Sequence, residues 1–314
     1  MAKRVLRSTE EVLNAVQQAM PNTTLKLLAL YDSRLNAFIT NPLFMRIPMI
    51  DEMLEGHGVF DTANIYEGHI YQLDRHLDRL LESSRMARIP APMTVQEMKE
   101  KVDELISIVN DSDMRIRLFI SNGLGFHNYY STNPAISSSI FYALAYKDVA
   151  QNKPESVKEA TVSVPIKPKI LAIVKSNNYM TNALTVMEAR EKGGYMGIQL
   201  DEHGNLTESA IANVACILPG GHFVTPKPDI ILEGTTVKRV LEFCQSLIEE
   251  GVLSSAGRDD IHVEQAKTAV EMMLLGGDHI VPIVELDGVT IGEGKTGPIS
   301  TRIRSFLAKD HYNS

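Results

Sequence analysis

The 314-residue sequence has only two cysteines, Cys216 and Cys244. Both sit in apolar segments, so they predict buried thiols in a reducing compartment rather than a disulfide, and neither has the spacing of a metal ligand. Long apolar runs are also missing: stretches such as Ile170 to Val174 fall far short of the roughly 20 residues that span a bilayer. Positive charge is scarce, with 31 Lys and Arg against 39 Asp and Glu and a net charge of −8. That balance argues against nucleic acid or a membrane surface as the main partner. The nine histidines show no close pair on a helix, so no metal site is expected. There is no GxSxG elbow for a serine hydrolase, and neither GLGFHN nor GHGVFD completes a dinucleotide fingerprint. GEGKT at Gly292 to Thr296 shares the end of a phosphate-binding loop. However, Val289 stands where that motif has glycine, and Gly297 and Pro298 stop the next helix, so it reads as a surface turn. No internal repeat or low-complexity tract appears, which excludes solenoids and coiled coils. The start, AKRVLRSTEEVLNAV, has no apolar signal core, and Glu10 and Glu11 count against a transit peptide. A cytoplasmic location is the default expectation.

What remains is a composition of 44% hydrophobic and 22% charged residues, ordinary for a folded chain long enough to bury two cores. The pattern is α+β. A short helix over Thr9 to Met20 forms an N-terminal extension spanning residues 1–25. Short apolar runs broken by Gly and Pro follow from Lys26 to Tyr71 and predict strands and turns. Amphipathic helices are expected at Asp74 to Ala87 and Thr94 to Asn110. Strands are expected at Met114 to Ser121 and Ser138 to Tyr146, closing a first domain over residues 26–147. The polar residues 148–158 make the best linker, leaving 159–314 as a second domain. It holds a strand near Ala160 to Val164, helices at Asn178 to Lys192 and Thr236 to Glu250, and a hairpin turning at Asp201 to Gly204.

Three segments of that second half carry chemistry. In IVKSNNYMTNALTVMEAREKGG, Lys175 ends an apolar run taken as a strand and precedes a helix with Met180, Ala183, Leu184 and Met187 on one face. Partial desolvation there would lower its pKa and favour the neutral amine needed for attack on a carbonyl. The commoner meaning of the same pattern is a solvated lysine at a helix start. In GIQLDEHGNLTESAIANVACIL, Glu208 lies within a strand among small and apolar residues. On its own it reads first as a hairpin cap, and it also suits a carboxylate paired with a protonated ring nitrogen. In TPKPDIILEGTTVKRVLEFCQ, Gly234, Thr235 and Thr236 open a helix. That geometry can receive a phosphate, and it is also an ordinary N-cap.

Taken together, KSNNYMTN, LTESAIANV and LEGTT resemble, in order and separation, the fold-type IV pyridoxal-phosphate enzymes. That class holds D-amino-acid aminotransferases, branched-chain aminotransferases and aminodeoxychorismate lyase, and the likeness covers most of the chain. It implies a two-lobed fold with a small N-terminal α/β lobe and a larger C-terminal lobe bearing the lysine. It implies pyridoxal 5'-phosphate as cofactor, Lys175 as the Schiff-base lysine and catalytic base, Glu208 as partner of the pyridine nitrogen, and Asn213 among the cofactor contacts. Gly234, Thr235, Thr236, Gly276 and Gly277 would surround the phosphate. Arg79, from HLDRLLESS, would offer it a bidentate fork. Lys175→Ala should then abolish turnover.

For the substrate, the resemblance points to Phe60 and to a carboxylate grip. A bacterial branch uses an arginine and a histidine in the loop after the Met114 to Ser121 strand, but NGLGFHNYY here has no arginine. That leaves His127, with Arg117 as a second candidate. The overall likeness is greatest to the D-amino-acid transaminases, implying amino-group exchange between a small amino acid and a 2-oxo acid. Rivals are the lyase and a branched-chain L-amino-acid aminotransferase, whose lysine and tyrosine usually stand one residue further apart than Lys175 and Tyr179. A cofactor-binding regulatory protein without turnover is the non-enzymatic rival. The family also implies a homodimer.

Overall fold

The structure, a computed structural model, describes residues 8–19, 25–125, 138–148 and 154–312. Helix α1 (Thr9–Ala19) starts on a capping box between Ser8 and Glu11 and buries none of its residues. The first lobe is built on a six-stranded antiparallel sheet of β1 (Leu25–Asp32), β2 (Ala37–Ile39), β3 (Gly58–Tyr66), β4 (His69–Ile70), β5 (Asp113–Ser121) and β6 (Ile140–Asp148), in the order β2-β1-β6-β5-β3-β4. In β5 each of Met114, Ile116 and Leu118 points into the core while Arg115, Arg117 and Phe119 face the other way, the period-2 alternation of a sheet covered on one face. The cover is α2 (Leu73–Met86) and α3 (Val95–Val109). Their Leu77, Leu80, Met98, Val102 and Leu105 meet Ile65 and Ile116. A capping box between Thr94 and Glu97 starts α3.

The second lobe begins at β7 (Val157–Glu159) and β8 (Thr161–Val162), then α4 (Lys169–Ala172) and α5 (Met180–Glu191). It continues through β9 (Ile198–Leu200), β10 (Leu206–Ser209), β11 (Asn213–Leu218) and β12 (His222–Thr225), α6 (Thr235–Glu249), β13 (Ser255–Arg258) and α7 (Val263–Ala266). It ends with β14 (Glu271–Gly276), β15 (His279–Leu286), β16 (Val289–Thr290) and α8 (Pro298–Asp310). These ten strands form one mixed sheet in which β7–β15, β8–β9 and β12–β13 run parallel. Helices α6 and α8 cover one face, packing Val237, Val240, Leu247, Ile303 and Leu307 with Cys244 against Ala215 and Met273. Cys216 is buried in the core on the opposite face, and both thiols are free. GEGKT forms a turn with Glu293 and Lys295 exposed. Among the described residues no helix is long and apolar enough to cross a membrane.

One expectation needs correction. The apolar run before Lys175 is not a strand: Pro168 starts the single-turn helix α4 over Lys169–Ala172, and only one isolated bridge, Val59 to Ser176, follows. The apolar face of α5 points outward. Met180 is 78% exposed and Met187 59%, while Thr185 and Ala189 are the residues that pack inward.

Candidate functional site

The exposed face of the first sheet and the β10–β11–β14 region of the second enclose a cavity of about 600 Å³. Lys175 reaches it through an unusual backbone position. Strand β4 covers only the end of β3, leaving the edge at Gly58 to Phe60 open. The lysine segment fills that edge: the Phe60 N–H donates to the Lys175 carbonyl at 2.9 Å, and the Asn177 N–H to the Gly58 carbonyl at 3.1 Å. The Lys175 N–H in turn donates to Ser83 Oγ of α2 at 3.1 Å. Ile173 and Val174 are packed in the first lobe's core, so the second lobe's lysine is fixed by first-lobe contacts.

Lys175 Nζ lies 5.0 Å from the centroid of Phe60. Burial lowers its pKa to about 8; Arg79 adds to the shift, and Asp61 and Glu208 oppose it. Glu208, on β10, faces the same cavity and is raised to about 7 by burial, against the pull of Lys167, the Leu232 N–H at 3.4 Å and Lys175. Gly234 is the N-cap of α6 and provides no side-chain cap, so Thr235 and Thr236 present an uncapped helix start to the cavity, with Gly276 and Gly277 beside them. Asn213 braces that end: its Nδ2 donates to the Leu232 carbonyl at 2.8 Å. A Cβ on Gly234 would come within 2.2 Å of Asn213 Oδ1 and would force that side chain to move.

Arg79 lines the cavity, but its fork is already engaged. Nε and Nη2 donate to Asp61 Oδ2 and Oδ1 at 2.7 and 2.8 Å, leaving Nη1 3.5 Å from the Glu233 carbonyl. Asp61 is fully buried on β3, and burial alone would raise its pKa. The Arg79 ion pair and the His76 contact at 2.8 Å overcome that and hold it far below the usual carboxylate range. Two of the guanidinium donors that the resemblance assigns to the phosphate are thus engaged with Asp61.

The candidate substrate wall is also assembled. Arg117 Nε donates to Thr62 Oγ1 at 3.1 Å, and its guanidinium lies over Phe60 and Tyr146 at 5.3 and 5.8 Å. Phe60 and Tyr179 meet edge-on at 5.2 Å. His127 lies outside the described residues. Sequence reasoning missed Asp61, His76 and Lys167. Lys167 Nζ sits 5.3 Å from the Tyr179 ring, its pKa lowered by burial and opposed by Glu208. It lies between Pro165 and Pro168 with no periodic pattern to mark it.

Pyridoxal phosphate fits these groups. The cavity offers a buried amine of lowered pKa for its aldehyde, a carboxylate for its ring nitrogen, and an uncapped helix start with glycine backbone for its phosphate.

Comparison with known proteins agrees. The pattern of the family described as Amino-transferase class IV matches residues 58–286. A chloroplastic D-amino-acid transaminase of Arabidopsis thaliana is 39% identical over 288 residues, 91% of this chain and 77% of that protein. A putative branched-chain-amino-acid aminotransferase of Methanocaldococcus jannaschii is 28% identical, over 80% of this chain and 86% of its own. Among solved structures, a branched-chain aminotransferase from the thermophilic archaeon Thermoproteus uzoniensis, with norvaline, superposes with a TM-score of 0.78 at 23% identity, covering 90% of this chain and 94% of that one.

Proposed function

The chain belongs to the class IV aminotransferases, pyridoxal-phosphate-dependent enzymes of fold type IV, and from that premise we propose that it exchanges amino groups between a small D-amino acid and a 2-oxo acid. The observation that carries the chemistry is the pairing of Lys175 and Glu208 across one cavity, next to the uncapped start of α6. The 39% identity to a D-amino-acid transaminase favours the D-substrate.

When bound, pyridoxal phosphate supplies the electron sink that makes a substrate's α-proton removable. Lys175 would anchor the cofactor covalently, and its Nζ would take the α-proton and return it. A pKa of about 8 suits both directions of that transfer near neutral pH. Glu208 would keep a proton on the pyridine nitrogen, with Lys167 favouring the charged carboxylate against its burial. The first turn of α6, Gly276, Gly277 and the Nη1 edge of Arg79 would hold the phosphate. Arg117, its Nε fixed by Thr62 and its face by two rings, directs its remaining donors at the substrate carboxylate. Phe60, with Tyr179 edge-on against it, covers one side of the amine at 5.0 Å.

A branched-chain L-amino-acid aminotransferase is the second reading, favoured by relatives and structural neighbours of that name. The test is the visible absorption of the holoenzyme on adding D-alanine, then L-leucine, then a 2-oxo acid. Bleaching by D-alanine and recovery with the oxo acid supports the first reading. Bleaching only by L-leucine supports the second, and pyruvate release from an aminated substrate without an oxo-acid acceptor indicates a lyase. Lys175→Ala should lose both turnover and the visible band, and full activity in that variant would end this account. We also propose a homodimer, which an exposed apolar surface supports.

A further inference from the structure

Between β14 and β15 the chain turns through Gly277 and Asp278, both in the left-handed region with φ of +60° and +77°. Glycine takes that conformation freely, whereas a residue with a Cβ is strained there by on the order of 1 kcal/mol. Asp278 is nonetheless 5% exposed and densely bonded. Its carboxylate accepts from Asn64 Nδ2 and from the Tyr66 hydroxyl, both on β3 of the other sheet. His279 Nδ1 lies 3.3 Å away and His311 Nε2 3.9 Å. Asn64 Nδ2 also donates to the Gly277 carbonyl at 3.1 Å, and the Asp278 N–H donates to Thr236 Oγ1 at 3.3 Å. Tyr66 stacks on His311 at 4.4 Å. An acid one residue from a phosphate site works against anion binding by Coulomb repulsion. Its ties to β3 give it a compensating task.

We propose that Asp278 is a positioning residue: by tying the Gly276–Gly277 turn to Asn64 and Tyr66, it fixes the phosphate end of the cavity against the strand that carries Phe60 and Thr62. The inference rests on the reading of α6's first turn with Gly276 and Gly277 as the phosphate cradle. It predicts that losing the carboxylate loosens cofactor and substrate geometry together, even though a like charge and a strained backbone are removed.

The test compares Asp278→Gly, Tyr66→Phe and Thr236→Val holoenzymes. The readouts are the rate of cofactor loss into inorganic phosphate buffer, followed by absorption, and kcat and KM at saturating cofactor. Asp278→Gly should release cofactor about tenfold faster and Tyr66→Phe about threefold faster, with KM raised more than kcat is lowered. A merely structural role would lower the melting temperature and leave release and KM unchanged, which overturns the proposal, as does slower release from Asp278→Gly. Unchanged release in Thr236→Val would instead overturn the cradle reading. Faster release in that variant, with Asp278→Gly and Tyr66→Phe unchanged, would overturn the present inference alone. If Asp278→Gly fails to fold, Tyr66→Phe, which removes one hydroxyl, decides between these outcomes.

Discussion

Lys175 and Glu208 are both held away from their ordinary ionisation, and each shift has a measurable consequence. An ordinary lysine, with a pKa near 10.5, is only about 0.1% neutral at pH 7.5, whereas a group of pKa about 8 is roughly a quarter neutral. Capture of pyridoxal phosphate by the cofactor-free protein should therefore accelerate with pH through about 8 and then level off. A midpoint above 10 in the absorption kinetics would mean that Lys175 is solvated. Glu208 gives a stability prediction of definite sign. Its folded pKa of about 7 lies above its ordinary 4.5, so between those values the folded state keeps a proton that the unfolded chain has released. Stability is present below 4.5 and lost as pH rises to 7. Glu208→Gln should stabilise the cofactor-free protein by about 2–3 kcal/mol at pH 8 and change little at pH 4. Urea unfolding at both pH values checks this, and equal stability at pH 8 would sink it. Lys167→Met, by removing the largest charge that opposes the shift, should carry the Glu208 ionisation above 7.

At the scale of elements, the helices were legible because their apolar stripes repeat at helical spacing: α2, α3 and α6 begin and end within about a residue of the expected limits. The residues of Lys175, Glu208 and α6's first turn were legible as separate segments, and the fold brings them to one cavity. What the sequence could not disclose depends on chain closure. Asp61 pairs with Arg79 across 18 positions, and Asp278 with Tyr66 across 212. The edge of β3 is filled by the lysine segment, whose apolar run suggests a strand of the second domain and gives no sign that it docks on the first. Helix α8 shows the same principle. Glu271 on β14 accepts the Ile299 and Ser300 N–H groups at 2.9 and 2.7 Å and the Ser300 hydroxyl at 2.6 Å, capping a helix whose own N-cap, Gly297, has no side chain. Gly297 is also required by contact, since a Cβ there would fall 2.2 Å from Glu271 Cδ. Glu271→Ala should cost about 3 kcal/mol in thermal or urea unfolding. A loss below about 0.5 kcal/mol would mean that water caps α8 equally well.

The apolar stripe of α5 has its explanation at the scale of the whole molecule. A helix face with Met180 at 78% exposure and Met187 at 59% is costly to leave in water unless another surface covers it. Neighbouring segments extend the same surface. Asn178 Nδ2 donates to the Gly56 carbonyl at 3.0 Å and Asn177 Nδ2 to the Met53 carbonyl, so the turn that carries exposed Leu54 lies beside it. Asn182 Nδ2 holds the Ala210 carbonyl beside exposed Ile211. In the same region Asn177 Oδ1, Thr181 Oγ1 and Asn182 Oδ1 are buried with no hydrogen-bond partner among the described residues, a cost that a second surface bearing donors would remove. A second copy of the chain is the covering surface we propose, and because Asn177 and Asn182 also line the cavity, its arrival should complete the site. Light scattering should give about twice the 34.8 kDa of one chain. Met180→Glu with Met187→Glu should shift the mass to that of one chain and lower kcat/KM at least tenfold, since two charges at an apolar contact oppose its burial. A wild-type chain that stays monomeric at assay concentration would remove the dimer, and a monomeric double variant with full activity would show that each subunit's cavity is complete by itself.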